Sequence, residues 1–325
     1  MSREKFSTQL AKDFGRRLDF SADGNFISLA KESAHDNQNS TNDAFSKKWE
    51  DYKNSQEKDA LYAMQREWYL KLYGFASEKE LATYLQSKKY IYDAGCGLGY
   101  KAAWFAELAP NSIVIGMDFS AAAKSAAQAY AHLPNLFFIQ GDIAAPFFGE
   151  NSIDYVSCDQ VIMHTEYPEK TFAELARITK KGGEFACYFY AKKALPRELL
   201  DDYFRIHCKD MSHDDLMVMS KQLSELGKRL SELNVKVDVP EIPALGIKGG
   251  LIDVQRFIYW NFLKCYWNGD LGRETSDIVN FDWYSPSNAK RYSEEEVKDL
   301  VSQNNLTIGY FHVEEACYSG RFLKR

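Results

Sequence analysis

Paired cysteines are absent from this sequence. Its six cysteines are scattered along the chain, without a CxxC pair and without nearby histidines at zinc-site spacing. They are Cys96, Cys158, Cys187, Cys208, Cys265 and Cys317. This pattern indicates neither a zinc site nor a disulfide framework. We therefore expect reduced thiols and no bound metal.

Long apolar runs are absent as well. No stretch approaches the roughly 18 consecutive apolar residues that a membrane-spanning helix needs. The opening segment, MSREKFSTQLAKDF, also lacks the apolar core of a signal peptide. We expect a cytoplasmic protein that does not insert into a membrane.

The sequence also lacks an excess of positive charge. The chain has 40 Lys and Arg against 46 Asp and Glu, for a formal net charge of −6. A nucleic-acid binder would neutralise the phosphate backbone with clustered basic side chains. The short basic stretches Lys88-Lys89, Lys192-Lys193 and 321–325 are expected to be solvated surface. We expect a small-molecule or glycan-precursor substrate and no nucleic-acid partner, and the sequence leaves homo-oligomer formation open.

The composition is that of an ordinary globular chain. Hydrophobic residues make up 45% and charged residues 26% of the 325 residues, which suits one large domain or a domain with a substantial elaboration. Residues 1–85 are predicted to form an N-terminal arm and helices, because residues 32–42 have too few apolar side chains to cover a core. Two helices are expected where apolar residues recur at helical spacing, namely Phe45, Trp49, Tyr52, Leu61, Met64, Trp68 and Leu72.

Strand and helix patterns alternate over residues 86–193. The apolar runs YIYDAG, SIVIGMDFS, NLFFIQGD, IDYVSCD and GEFACYFYA are separated by helical patterns. Such alternation predicts βαβ crossovers and a parallel sheet that is covered on both faces. Residues 86–193 are therefore predicted to be a Rossmann-like core.

The remaining chain is predicted to elaborate and then complete this core. Residues 194–290 read as a helical insertion that caps the acceptor site, with helices over 195–233 and 251–267 separated by VPEIPALGIKGG. Residues 291–325 read as a final helix, capped by Ser293, and two antiparallel strands. The predicted fold class is α/β: a Rossmann-like, mostly parallel sheet of seven strands with helices on both faces, an N-terminal helical arm and a helical insertion before the last two strands.

The strongest local signal is DAGCGLG, residues 93–99, placed after a strand and before a helix. Glycines permit a tight turn and let a ligand approach the backbone, and the following helix offers unpaired N–H groups. A nicotinamide-binding turn would read GxGxxG, whereas this one reads GxGxG with an acid before it. Asp93 therefore favours a cationic ligand over a pyrophosphate, and a nucleotide-binding dehydrogenase is disfavoured.

Acids follow the next two strands too. Asp118 ends the second strand, where a carboxylate can accept both ribose hydroxyl hydrogens, and Phe119 beside it offers an apolar face to an adenine. Asp142 follows the third strand. Each acid alone could be a helix cap or a surface residue. Three acids at the carboxyl ends of successive strands, where open α/β sheets bind ligands, predict one shared site.

DAGCGLG resembles motif I of class I S-adenosylmethionine-dependent methyltransferases, in the subgroup of the ubiquinone and menaquinone methyltransferases (methyltransferase domain type 11). The resemblance covers residues 90–190. It implies an enzyme that uses S-adenosylmethionine and releases S-adenosylhomocysteine. By this resemblance, Asp93 and the loop of Gly95, Cys96 and Gly97 would hold the methionine moiety.

The same resemblance assigns residues further along the core. Asp142 would accept from the exocyclic amine of the adenine, and Ile143 would pack on its ring. The stretch DQVIMHT resembles the segment that follows the fourth strand in this family. Gln160 would lie against the methionine end of the cofactor, with a structural hydrogen bond as the alternative, and His164 would point toward the acceptor cleft.

Two further residues are candidates for chemistry. His164 could take a proton from an acceptor hydroxyl or ammonium, or it could be a buried, hydrogen-bonded histidine. Methyl transfer from a sulfonium can also proceed without a protein base, because positioning supplies much of the rate. Arg66 could pair with the methionine carboxylate, with a surface arginine as the alternative.

The acceptor is predicted from the aromatic residues of the insertion and of the strand before it. FDWYSP, residues 281–286, would suit a lid over a polar ring such as a sugar, and helical core is the alternative. The acceptor-site candidates are Tyr188, Tyr190, Tyr259, Asp282, Trp283 and Tyr284. We predict methylation of O or N on a small polar metabolite or activated sugar. The alternatives are C-methylation of a quinone-like ring and a non-catalytic, cofactor-binding regulatory or scaffold protein.

Overall fold

The computed structural model describes residues 2–15, 20, 24–29, 38–39, 41–43, 45–46, 49 and 58–325. Its helices, numbered α1 to α11 in chain order, are Arg3–Phe14, Lys58–Tyr73, Glu78–Gln86, Tyr100–Leu108, Ala122–Ala129, Pro168–Ile178, Leu195–Cys208, His213–Glu232, Val254–Asn261, Gly272–Tyr284 and Glu294–Gln303. Its strands, numbered β1 to β11, are Phe26–Ser28, Tyr90–Ala94, Ile113–Asp118, Leu136–Gln140, Ile153–Cys158, Thr179–Ala191, Lys236–Val239, Gly250–Asp253, Arg291–Tyr292, Leu306–Val313 and Cys317–Lys324.

The central sheet has the order β1-β4-β3-β2-β5-β6-β11-β10, and the short β9 pairs with β6. Strands β1 to β6 run parallel to one another, and β9 runs parallel to β6. Strand β11 is antiparallel to β6 and forms the predicted antiparallel pair with β10 at the end of the sheet. The predicted Rossmann-like α/β fold is confirmed. The sheet has nine strands rather than seven, because β1 and β9, of three and two residues, are too short to produce an apolar pattern.

The sheet is covered on both faces. Side chains of consecutive strand residues point to opposite faces, so Ile91 and Tyr92 of β2 belong to two different clusters of buried residues. One cluster includes side chains of α1, α6 and α11, and the other includes side chains of α2, α3 and α4. Burial on both sides explains why β2, β3 and β4 are almost continuously apolar.

The first helix is part of the core rather than a loose arm. Phe6 and Leu10 of α1 are buried, and the Ser7 hydroxyl donates to the carbonyl of Phe20. Sequence reasoning missed this helix because α1 has only a narrow apolar stripe between charged residues. Tyr52, one of the residues predicted to form the two N-terminal helices, lies outside the described residues.

The insertion contains more elements than the sequence predicted. Helices α7 and α8 cover the first predicted helix, and the segment expected to separate two helices forms an antiparallel hairpin of β7 and β8. The predicted helix over 251–267 is shorter, since α9 ends at Asn261. The unpredicted helix α10 packs on α8 and carries residues 281–284 in its last turn. The domain boundaries at 85, 193 and 290 stay predictions.

The structure of residues 291–325 agrees closely with the prediction from the sequence. Ser293 and Glu296 form a capping box at the start of α11, as expected for a serine followed three residues later by a glutamate. Within the described part of the chain, no helix combines the length and the apolar composition needed to cross a bilayer. The cytoplasmic location stays a prediction from the sequence.

Candidate active site

The loop after β2 is shaped by its glycines. Gly95, Gly97 and Gly99 all have positive φ, at 80°, 50° and 77°. A Cβ atom on Gly95 would overlap the side chain of Val161, and one on Gly97 would lie 2.6 Å from Cζ2 of Trp49. The loop therefore needs glycine both for its backbone conformation and for these close contacts.

Asp118, at the end of β3, holds this loop. Its Oδ2 accepts from the backbone N–H of Gly97 at 2.8 Å, and its Oδ1 accepts from the N–H and the hydroxyl of Ser120 at 2.9 and 2.6 Å. Burial raises the pKa of Asp118 above its usual value. A carboxylate has about four acceptor positions, so Asp118 keeps capacity for a ligand hydroxyl.

One pocket collects most of the predicted cofactor residues at the carboxyl ends of the strands. Its wall includes seven of them, together with the catalytic candidate His164. The seven are Gly95, Cys96, Asp118, Phe119, Asp142, Ile143 and Gln160. Strand order explains this convergence, because β2, β3, β4 and β5 are neighbours and their ends meet at one edge of the sheet. The cofactor pocket, as we call it, also contains Phe45 and Trp49.

Asp93 lies beneath the cofactor pocket rather than on its wall. The residue has no exposed surface, and neither carboxylate oxygen has a hydrogen-bond partner among the described residues. Its Oδ1 is 3.4 Å from Nζ of Lys101, and the same ammonium donates to Oδ2 of Asp159 at 3.2 Å. Tyr73 donates its hydroxyl to the other oxygen of Asp159 at 2.8 Å.

This buried group of Asp93, Lys101 and Asp159 has two carboxylates and one ammonium, so its formal charge is −1 when all three are ionised. Burial raises the pKa of Asp93 to about 6, and the Lys101 charge opposes that rise. The two carboxylates raise the pKa of Lys101 despite its burial, so Lys101 stays protonated. A net negative group beneath the pocket suits a cationic ligand.

Lys101 and Asp159 were not predicted as site residues, although both line the pocket. The available signal was a lysine in the first turn of an otherwise apolar helix, YKAAWFAEL. A buried lysine of this kind requires a carboxylate partner. Its partner Asp159 is 58 residues away in the sequence, so periodicity could not identify the pair.

Gln160 has an unusual backbone conformation at the end of β5. Four described non-glycine residues have positive φ, and three of them are asparagines, which tolerate this conformation. Gln160 is the fourth, at φ 63°. It lines the cofactor pocket and the neighbouring cavity. Strained backbone concentrates at functional sites, so this conformation supports a functional position for the Gln160 amide.

We expect Gln160→Gly to separate stability from function. Glycine relieves the left-handed conformation but gains entropy in the unfolded chain, so the free energy of unfolding should stay within about 1 kcal/mol of the wild type. Loss of the hydrogen bonds that we expect the Gln160 amide to form with bound ligand should weaken methyl transfer about 2- to 12-fold. Asn305→Gly is the matched control, since Asn305 also has positive φ, at 56°, but lies outside both cavities. Equal activity of the two variants would contradict a role for Gln160.

His164 is buried in the short 3-10 turn that follows β5. Its Nδ1 is 2.8 Å from the carbonyl oxygen of Asn288, and since a carbonyl only accepts, Nδ1 carries the proton. Nε2 is then the acceptor, 3.4 Å from the hydroxyl of Tyr190. His164 is therefore a hydrogen-bonded histidine whose basic nitrogen faces a tyrosine at the edge of the cofactor pocket.

Arg66 is not brought to the cofactor pocket. Its guanidinium is 3.9 Å from Glu107 and lies over the ring of Trp104, and its side chain is 42% exposed. The preceding residue, Gln65, lines the pocket instead. Consecutive residues of a helix face different directions, so α2 presents Gln65 to the pocket and Arg66 to the outside. The surface alternative for Arg66 fits the structure.

A second cavity, of about 760 Å³, adjoins the cofactor pocket and is called the acceptor cavity below. Five of the six predicted acceptor-site residues line it: Tyr188, Tyr190, Tyr259, Asp282 and Trp283. The sixth, Tyr284, lines neither cavity and donates its hydroxyl to Asp201 at 3.2 Å. FDWY forms the last turn of a helix and is largely buried, so it is a wall of the cavity rather than a flexible lid.

The two cavities share part of their walls. Residues common to both are Trp49, Gln65, Tyr100, Gln160, Tyr190 and Asp282. Trp49 was predicted only to pack on the domain. Helical spacing could not predict that Trp49 lies beside Gly97 and between the two cavities. A molecule in the acceptor cavity can thus approach a molecule in the cofactor pocket across these residues.

Comparison with known proteins agrees with this geometry. A family model described as a methyltransferase domain matches residues 92–187. An uncharacterized methyltransferase of Schizosaccharomyces pombe is 31% identical over 113 residues, which are 32% of this chain and 41% of that protein. The demethylmenaquinone methyltransferase of Renibacterium salmoninarum is 30% identical over 94 residues, 29% of this chain and 38% of that protein. The chain thus spans less than half the length of either relative.

Among solved structures, magnesium protoporphyrin IX methyltransferase from Synechocystis PCC 6803 with bound SAH is similar, with a TM-score of 0.49 and 14% identity. The alignment covers 89% of this chain and 100% of that one. The sequence match coincides with the strands and loops that build the cofactor pocket. Residues 92–187 of this chain are therefore similar in sequence to methyltransferase domains.

Proposed function

We propose that this chain transfers a methyl group from S-adenosylmethionine to an oxygen or nitrogen of a small polar acceptor held in the acceptor cavity. The observation that carries the proposal is the junction of the two cavities at Gln160, Tyr190 and Asp282. This junction lets a donor in one cavity and an acceptor in the other meet at one place. Such positioning supplies a large part of the rate in methyl transfer.

The residues of the cofactor pocket fit S-adenosylmethionine. When bound, this cofactor supplies a methyl group on a positively charged sulfonium. Asp118 has acceptor capacity for a ribose hydroxyl, while Phe119 and Ile143 offer apolar surface to an adenine. The unsatisfied oxygens of Asp93, in the group of net charge −1, suit the positive charge of the methionine end.

Replacing Asp118 by alanine is expected to weaken S-adenosylmethionine binding by about 1.5–3 kcal/mol, or roughly 10- to 150-fold. The reason is the loss of a charged acceptor for the ribose, together with the loss of its hydrogen bond to the glycine loop. Isothermal titration of the cofactor measures this change.

Asp154→Ala is the matched control. Asp154 also accepts two backbone N–H groups, from Lys89 and Tyr90 at 3.2 and 2.9 Å, but it lies outside both cavities. The Asp154→Ala variant should lose some stability and keep the cofactor affinity of the wild type. Equal affinity of the Asp118 variant and the wild type would contradict the assignment.

The polar and charged residues of the acceptor cavity support a polar acceptor. Asp282 and Tyr190 lie at the junction, and Tyr190 connects it to Nε2 of His164. These groups can accept or relay a proton from a hydroxyl or amine as it is methylated. A quinone-like ring would bury these polar groups against an apolar surface, which is unfavourable.

The test is transfer of labelled methyl from S-adenosylmethionine into a fractionated metabolite and glycan extract, with Asp118→Ala as the negative control. Label in a polar or sugar fraction, attached to oxygen or nitrogen, supports the proposal. Label on carbon in a lipid fraction favours the quinone-like alternative instead. Tight cofactor binding without any label favours a non-catalytic, regulatory or scaffold protein.

A further inference from the structure

Positive charge is concentrated on the wall of the acceptor cavity formed by the insertion. Four basic residues line this part: Lys193, Arg197, Arg256 and Lys264. Arg197 already has a partner, because it is buried and forms an ion pair with Asp201 at 2.7 Å. The prediction that Lys192-Lys193 is solvated surface holds for Lys192 but is wrong for Lys193, which turns inward at the end of the sheet.

Lys264 has an unusual environment. It is 7% exposed, and its ammonium lies over the ring of Trp283 at 4.5 Å from the centroid. Among the described residues, no carboxylate or hydrogen-bond acceptor contacts its Nζ. Burial, followed by the charge of Arg197, lowers the pKa of Lys264 to about 7, and Asp201 and Asp282 only partly oppose this.

Lys193 has a related environment. Its Nζ donates to the carbonyls of Ala191 and Ala316 at 2.6 and 3.2 Å, which leaves one hydrogen for another acceptor. None of the described carboxylates forms an ion pair with it. Burial, and then the charges of Arg197 and Lys264, lower its pKa to about 7, against the opposing charge of Glu198.

In these surroundings, Lys193 and Lys264 destabilise the protein when no anion is bound. A buried ammonium without an anionic partner is unfavourable, and an apolar residue of similar volume would be more stable there. The buried Lys264 and the partly buried Lys193 line one cavity wall with Arg256, and together they leave a site that an anion would complete. The cavity is also large enough for the rest of a small molecule, and Tyr259, Trp260 and Trp283 can pack against its apolar or ring portion.

We propose that the methyl acceptor is an anion whose phosphate or carboxylate group binds at Lys193 and Lys264. This inference rests on the proposed function, since it concerns the acceptor of that reaction. The anionic group would bind against the insertion wall, while the atom to be methylated would lie toward Gln160, Tyr190 and Asp282 at the junction with the cofactor pocket. The charged wall would thus select the acceptor and fix its direction.

The binding test uses inorganic pyrophosphate and citrate as probes of the two anion chemistries. Calorimetric titration of the full chain at pH 7.5 should show saturable binding of at least one probe. Because the anion raises the pKa of both lysines, binding should take up protons, which titrations in two buffers of different ionisation enthalpy measure. Tighter binding of pyrophosphate would indicate a phosphate group, and tighter binding of citrate a carboxylate.

Lys264→Met and Lys193→Met should each weaken probe binding at least about tenfold, the loss expected for a charged contact, and reduce the proton uptake. Cofactor affinity should not change. Lys192→Met is the matched control, because Lys192 is adjacent in sequence but pairs with Glu296 on the outside at 2.7 Å. Lys264→Met should melt no lower than the wild type, since it removes an unpaired buried charge. Unchanged probe binding in both cavity variants, or no binding by the wild type, would overturn the proposal.

An assay of methyl transfer distinguishes a failure of the anionic-acceptor proposal from a failure of the proposed function. Labelled product that binds an anion-exchange resin, and that decreases at least about tenfold in Lys264→Met, supports both. Labelled product found only in neutral or cationic fractions overturns the anionic acceptor but keeps the methyltransferase. Probe binding that depends on Lys264, without labelled product in any fraction, supports the anion site and contradicts the proposed activity.

Discussion

Replacing Lys101 by methionine is expected to lower the free energy of unfolding by about 3–5 kcal/mol, because it removes one member of a buried ionic group and leaves the others uncompensated. Asp93 and Asp159 lie 3.4 and 3.2 Å from the ammonium, and their side chains are 0% and 4% exposed. Two carboxylates would then face each other in the core. Urea unfolding measures the loss.

The pH dependence of this loss has a definite sign. The folded-state pKa of Asp93, about 6, lies above its ordinary value of 3.8, so folding favours its protonated form. Its contribution to stability is therefore full below pH 3.8 and is lost as the pH rises through about 6. Without Lys101 the pKa of Asp93 should rise further. The destabilisation of Lys101→Met should thus be larger at pH 8 than at pH 5.

Lys71→Met is the control for loss of a lysine from an ion pair. Lys71 is 3.2 Å from Glu314, but its side chain is 63% exposed, so its removal should change the free energy of unfolding by less than about 1 kcal/mol. A loss in Lys101→Met no greater than this would show that the buried group is not strongly coupled. A stronger test adds Asp93→Asn to Lys101→Met, which should recover part of the stability.

The second large effect is expected at His164. If the histidine takes the proton of the acceptor through Tyr190, His164→Ala should lower kcat by about 10²- to 10⁴-fold, the range typical of general-base catalysis. Cofactor affinity should stay near that of the wild type. The tautomer set by the Asn288 carbonyl supports this role, because it leaves Nε2 free of a proton and facing the Tyr190 hydroxyl. Steady-state kinetics and cofactor titration measure the two quantities.

A double-mutant cycle with Tyr190→Phe makes this prediction sharper. Two residues that act as one relay have non-additive effects, so the double variant should be no slower than the slower single variant. His132→Ala is the control, since His132 is exposed and lies outside both cavities. If His164→Ala kept full turnover across the pH range, the histidine would be structural and positioning alone would account for catalysis.

Sequence reasoning was most successful where function depends on local backbone. The glycine loop and the convergence of Asp118 and Asp142 on one pocket could be predicted, because a tight turn requires glycine and a parallel sheet brings successive strand ends together. Asp93, predicted for the same site, lies beneath that pocket. The capping box at Ser293 was likewise visible from neighbouring residues. Reasoning failed where one residue depends on another far away in the chain. His164 and Asn288 are 124 residues apart, and no periodicity connects them.

Side-chain direction was a second source of error. Residues 281–284 were predicted as a candidate lid, yet they form a helical wall, because α10 packs against α8 and buries both aromatic and polar positions. Gln65, for which no role was predicted, lines the cofactor pocket in place of Arg66 for a similar reason, since one residue along a helix rotates the side chain by about 100°. Helical phase of this kind depends on what the helix packs against, and the segment itself does not contain that information.

The sequence by itself determined the α/β sheet and the cofactor loop, because these follow from hydrophobic periodicity and from backbone conformations that only certain residues adopt. The class of chemistry was implied by the resemblance of DAGCGLG to a known family. The tertiary structure decided the charge state of the site and the nature of the acceptor cavity. Lys193 and Lys264 are indistinguishable from surface lysines in the sequence, and Lys101 is marked only by the apolar helix around it. Their burial and their distances from carboxylates make one a neutralised core residue and two a site for an anion, since electrostatic energy depends on separation in space and on exclusion of water.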